Sequence, residues 1–163
     1  MPAGVLKPRG FRWIITSRLA VSDRLGGQGV AHRKVRRQQE VLWLQKEAGI
    51  TDVVSLLANN QNIKVYRECG FGAHRVPVGS DVEETQRRSL YDKLSELLRD
   101  PDAKILVHRD VIDENLGGLM SGFLVDTGLV PDPVRAVTII EQILGRPIGA
   151  RGRSLVPNYL TGE

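Results

Sequence analysis

The sequence predicts an α/β domain, and three observations carry that prediction. Short apolar runs suited to buried strands alternate with segments of helical period. The run Ile105-Leu-Val107 is continuous and apolar, as a central strand covered on both faces requires. A length of 163 residues with 41% hydrophobic content suits one domain built on one sizeable core.

The elements follow in order. Val41, Leu42, Leu44 and Ala48 give the segment from Arg36 to Ala48 an apolar helical face, and Gly49 closes it. Asn59 to Asn62 reads as a turn, and Ile63 to Cys69 as a short helix stopped by Gly70. Ser80-Asp-Val-Glu83 fits a capping box that opens a helix to Leu98, with Leu90, Leu94, Leu97 and Leu98 as its buried stripe. Asp100 to Ala103 is the exit turn. A buried helix is expected from Leu116 to Asp126, lined by Gly117, Gly118, Ser121 and Gly122. Asp132-Pro133 signals the start of the last main helix, whose face is Val134, Val137, Ile140 and Leu144 and whose end is Gly145. Residues 1–9 and 157–163 carry no periodicity and are expected as flexible tails around a single domain at 10–156. The loop from Val21 to Val30 is left unassigned, and no internal repeat is present.

Composition narrows the function classes. Cys69 is the only cysteine, so no internal disulfide can form, and no charged-apolar-small leader pattern opens the chain. No apolar run approaches the roughly 20 residues of a membrane span. A soluble, cytoplasmic protein is the expectation. The net charge of +4 has a local source in Arg33-Lys-Val-Arg-Arg37. That cluster reads as a solvated helix start, or as a patch for nucleic acid, an acidic partner or a phosphoprotein. Aromatic residues are 5% of the chain and are not interleaved with the basic ones, which argues against a nucleic-acid stacking surface.

The segment Lys104 to Met120 carries the most specific signal: a strand running into His108, then polar and mixed residues, then a helix of small residues at Gly117-Gly118. This layout resembles the active-site loop of the cysteine-dependent dual-specificity and protein tyrosine phosphatases, which reads His-Cys, five residues, Arg, Ser or Thr, Gly. The resemblance extends from Phe11 to Val156. Phe11 to Ala20 looks like the family's opening strand, Asp52 to Leu57 like its next buried strand, and Gly70 to Val78 like the strand leading to its general-acid loop. Ala136 to Leu155 is similar to its closing helix and tail. The resemblance implies a central, mostly parallel twisted sheet flanked by helices.

It also implies a loop stripped of its chemistry. In active members a thiolate attacks phosphorus, backbone N–H groups cradle the phosphate, arginine grips two of its oxygens and an aspartic acid protonates the leaving group. Here Arg109 stands in the place of the nucleophile and Asn115 in that of the arginine, while Ile112 replaces the midway glycine. Guanidinium stays protonated at physiological pH and is no nucleophile. Asp110, Asp113 and Glu114 add three carboxylates against one cation, so a phosphate dianion is repelled unless they point away. His108 and Gly117 match the family. The general-acid place falls on Ser80 or Asp81, both also explained by the capping box.

One feature opposes this reading. Cys69, five residues and Arg75, with Gly72 midway, satisfy the spacing of an active loop, and Asp81 could then serve as the acid. The context differs, because Cys69 is expected at a helix C-terminus, where the dipole disfavours a thiolate, and Pro77 leaves no room for a following helix. The expectation is therefore a catalytically inactive, phosphatase-like binding or regulatory module. Its protein partner would be taken through the old substrate cleft, with Asp81 and the Arg33–Arg37 cluster at the rim. The alternatives are an active phosphatase using Cys69, or a structural scaffold subunit. No cofactor is expected, and although His108, Asp110, Asp113 and Glu114 could be read as metal ligands, their spacing matches no metal signature.

Overall fold

The computed structural model describes residues 5–27, 33–58 and 62–159. In chain order the elements are β1 (Arg12–Ile15), β2 (Leu19–Ser22), α1 (Arg33–Trp43), β3 (Asp52–Ser55), α2 (Ile63–Glu68), β4 (Gly72–Arg75), α3 (Glu84–Leu98), β5 (Ile105–His108), α4 (Glu114–Asp126), α5 (Pro133–Leu144) and α6 (Ala150–Arg153). A π-helical turn, Leu44–Ala48, continues α1, and Gly49 ends it at φ 70°. The strands form a sheet in the order β1-β2-β5-β3-β4. Only the β1–β2 pairing is antiparallel.

Alternation along the strands splits the core in two. Leu19, Val21, Val54, Ile105 and Val107 face α3, α4 and α5, where Leu90, Leu94, Leu119, Phe123, Val137 and Ile140 meet them. Ala20, Val53, Ala73 and Leu106 face the other way, onto Val41, Leu44, Ile63 and Tyr66. All four residues of β5 are buried, as a strand covered on both sides must be. Gly118 on α4 lies against the Gly152 carbonyl of α6, so a side chain there would strike backbone. That close approach fixes α6 beside the start of α4.

Three expectations need correction. Phe11 to Ala20 is a hairpin rather than one strand: the chain turns at Thr16–Arg18, with Ser17 at φ 59°, and the Arg18 guanidinium ties that turn to the carbonyls of Leu98 and Pro101. The α3 cap is Glu83, paired reciprocally with Gln86, rather than Ser80. Ser80 is engaged elsewhere, its carbonyl accepting from Asn115 at 2.9 Å. On α5 the buried face is Ala136, Val137 and Ile140, while Val134 is 53% exposed.

The described parts of both tail segments touch the domain. The Leu6 N–H bonds to the Gln39 carbonyl, Lys7 stands over the Trp43 ring, and Tyr159 packs on the larger core. The turn expected at 59–62 and the loop expected at 21–30 lie partly outside the described residues. No helix among the described residues is long and apolar enough to cross a membrane.

Candidate functional site

The loop Arg109–Asp113 leaves the C-terminal end of β5 and enters α4, at the edge of the sheet where α/β proteins of this topology place ligands. Its conformation is held by carboxylates. Asp23, just past β2, accepts the Ile112 N–H at 2.9 Å. Asp113 caps α4, accepting the Leu116 N–H at 2.9 Å through its side chain and the Gly117 N–H at 3.1 Å through its carbonyl. Two amides of the loop and helix head, those of Ile112 and Leu116, are thus met by side-chain carboxylates of the chain itself.

The side chains of the loop and helix head divide between one shared cavity and separate contacts elsewhere. Arg109 leans toward Asp113 with 4.0 Å between charged atoms, and its Nη1 is buried without an acceptor among the described residues. Asn115 is buried and donates to the Ser80 carbonyl. Asp110 is exposed and faces Arg24 at 3.5 Å. The Glu114 carboxylate lies against Gly149. Gly117 packs under Ile148. His108 is fully buried, with both ring nitrogens unpartnered among the described residues and its ring edge-on to Tyr66 at 5.9 Å. Burial, reinforced by the Arg24 charge, lowers its pKa from 6.5 to about 4, so the ring is neutral.

Beside the loop is a cavity of about 250 Å³. Leu56, Leu57, Ala58, Val78 and Val111 supply its apolar wall, and Arg109, Asp110 and Asp113 its charged one. Neither Asp81 nor the described residues of the basic cluster line it. Asp81 is exposed and pairs at 3.6 Å with Arg151, a contact of little energetic weight. Arg36 and Arg37 turn inward instead, to Glu40 and Asn62. A larger groove, of about 510 Å³, runs between Arg75–Pro77 and α3 and contains no part of the loop.

The Cys69 stretch forms no cradle. Cys69 caps the C-terminus of α2 and is exposed. The amides of Gly70, Phe71 and Gly72 bond to the carbonyls of Arg67, Tyr66 and Thr51. Arg75 sits in β4 with its guanidinium on the Ala58 carbonyl, so no helix head follows and no loop closes around an anion. Among the described residues no three His, Cys, Asp or Glu side chains gather as a metal site.

Asp23, Arg24 and the β3 exit, Leu56 to Ala58, belong to the site and were missed from sequence. The usable signal was positional: each follows the apolar run of a parallel strand, and ligand sites collect beyond those ends.

No protein-family model and no curated protein sequence matches the chain. Solved structures do. Kinase-associated phosphatase, with its catalytic-site cysteine replaced by serine, superposes at a TM-score of 0.74 and 15% identity over 96% of each chain. The catalytic core of the PP-IP phosphatase SIW14 from S. cerevisiae, in complex with citrate, gives 0.69 at 13% identity over 95% of this chain and 88% of that one. PTPMT1 in complex with PI(5)P gives 0.67 at 10% identity, covering 93% and 95%. At such identities the likeness speaks to architecture: this chain has the fold of the dual-specificity and protein tyrosine phosphatases.

Proposed function

We propose that this phosphatase-fold protein performs no phosphoryl transfer through its β5–α4 loop and acts as a binding or regulatory module that takes a protein segment into the old substrate cleft. The observation that supports the reading is that carboxylates of the chain itself meet amides of the loop and helix head. Asp23 and Asp113 occupy the amides of Ile112 and Leu116, Arg109 stands where a nucleophile would have to be, and Asn115 is committed to Ser80. An arriving phosphate dianion would meet carboxylates at the donors it needs. What is left is a small concavity with an apolar wall and a mixed-charge rim, suited to a neutral or basic side chain of a protein surface.

The test is site-directed photo-crosslinking of the full-length protein in its host cell. A photoreactive residue at Val111, exposed at the cleft mouth, is expected to give one discrete protein adduct. Ala58→Trp, which fills the cleft from its rim, is expected to abolish it. Equal, diffuse adducts from Val111 and from Thr138, exposed on α5, would contradict the reading.

A further inference from the structure

Val111, 48% exposed in the middle of the loop, lines two cavities. One is the cleft already described, where a single guanidinium, Arg109, accompanies two carboxylates, Asp110 and Asp113. The other, of about 270 Å³, has no part in the cleft-binding reading. Gly10, Val111, Ile112 and Leu144 give it an apolar wall, and Arg12, Arg146 and Asp23 a charged one. The balance of charge therefore reverses across one side chain, from two carboxylates with one guanidinium to two guanidiniums with one carboxylate.

The cations of the second cavity have donors to spare, and its carboxylate is already engaged. Arg12, exposed on β1, gives one guanidinium N–H to the carbonyl of its neighbour Phe11 at 2.9 Å, which leaves the rest of the fork open. Arg146 is exposed just past the Gly145 cap of α5, where its backbone N–H donates to the Glu141 carbonyl at 3.2 Å. Its side chain makes no hydrogen bond or ion pair among the described residues. Asp23 accepts the Ile112 N–H at 2.9 Å. Gly10, at φ 74°, brings bare backbone against both of these residues: a Cβ there would stand 2.9 Å from Ile112 Cδ1 and 3.3 Å from Asp23 Oδ1.

Two guanidiniums lining one partly apolar cavity suit a group that only accepts hydrogen bonds. Against the Asp23 charge they leave one positive charge in excess, which matches a carboxylate better than a phosphate dianion. Resting on the cleft-binding reading, we propose that the two cavities take one segment of a protein partner. A basic or neutral side chain of that segment enters the cleft beside Asp110 and Asp113, and an Asp or Glu side chain is held by Arg12 and Arg146 on the other side of Val111. The basic rim of the site is thus Arg12 and Arg146 rather than the Arg33–Arg37 cluster. Opposite charge on the two sides also gives the site a direction, because a segment docked in reverse sets like charges together at both ends.

The experiment is the Val111 photo-crosslink in the full-length protein, with the linked peptide of the partner mapped by mass spectrometry. An Asp or Glu is expected within about three residues of the linked position, the reach needed to pass one side chain in an extended chain rising about 3.3 Å per residue. Arg146→Glu and Arg12→Glu should each lower the adduct yield at least about fivefold by setting like charges together. Arg99→Glu, the same charge change at an exposed position at the end of α3, should leave it within about twofold. Replacing the mapped acid of the partner by Arg should restore the adduct of Arg146→Glu, which a folding defect would not allow. A mapped segment without a carboxylate, a yield unmoved by both variants, or an equal loss with Arg99→Glu would overturn the proposal and leave the cleft-binding reading standing. Absence of any adduct from the unmodified protein would remove the cleft-binding reading and this inference with it.

Discussion

At the scale of single residues, His108 shows how a motif position can persist while its surroundings change. It occupies the end of a fully buried strand, faces Tyr66 edge-on and finds no hydrogen-bond partner among the described residues. Desolvation, helped by Arg24, holds its pKa near 4 against 6.5 when unfolded. The unfolded chain therefore binds the extra proton between those values, and the native state does not. Stability from this group is complete above about pH 6.5 and is lost as the pH falls toward about 4. The full difference is up to about 3 kcal/mol. Urea unfolding is expected to show the protein less stable by about 2 kcal/mol at pH 5 than at pH 7.5, and His108→Leu should flatten most of that slope. An unchanged slope in the variant would mean that other groups carry the acid sensitivity.

At the scale of elements, the parts announced by local chemistry were legible and those fixed by tertiary contact were not. Gly49, Gly70 and Gly145 mark helix ends, and Asp132-Pro133 begins α5 with Asp132 accepting from the Val134 N–H. The β1–β2 hairpin was hidden because its turn, Thr16-Ser17-Arg18, has neither glycine nor proline and is held by Arg18 reaching the end of α3. The α3 start falls three residues later than Ser80 because the reciprocal capping pair is Glu83 with Gln86. Arg36 and Arg37 read as a solvated helix start, yet Glu40 and Asn62 draw them inward, which periodicity alone does not reveal. Asp113, a candidate site residue by its place in the loop, is the α4 cap. Asp113→Ala should cost about 1 kcal/mol in chemical unfolding, the usual worth of an N-cap. A loss near zero would mean that the Leu116 N–H finds another acceptor.

At the scale of the whole molecule, the fold seen in phosphatases surrounds a loop whose amides are met by the chain's own carboxylates. The sheet order, the buried β5 and the Gly118–Gly152 contact that seats α6 beside α4 place Arg109–Asp113 at the sheet's C-terminal edge. The fold delivers position and the residues decide chemistry. The expected fold was legible because strand and helix order survive at low identity. The candidate site was legible only in part, since the loop could be found from His108 and Gly117, but the carboxylate that locks it, Asp23, comes from a distant strand end.

The most direct test of the central claim is hydrolysis of a small aryl phosphate by the purified, reduced protein, with Cys69→Ala measured beside it. No turnover in either protein is the predicted result. Turnover in the unmodified protein that Cys69→Ala abolishes would contradict it, and would move the chemistry from the β5–α4 loop to the end of α2.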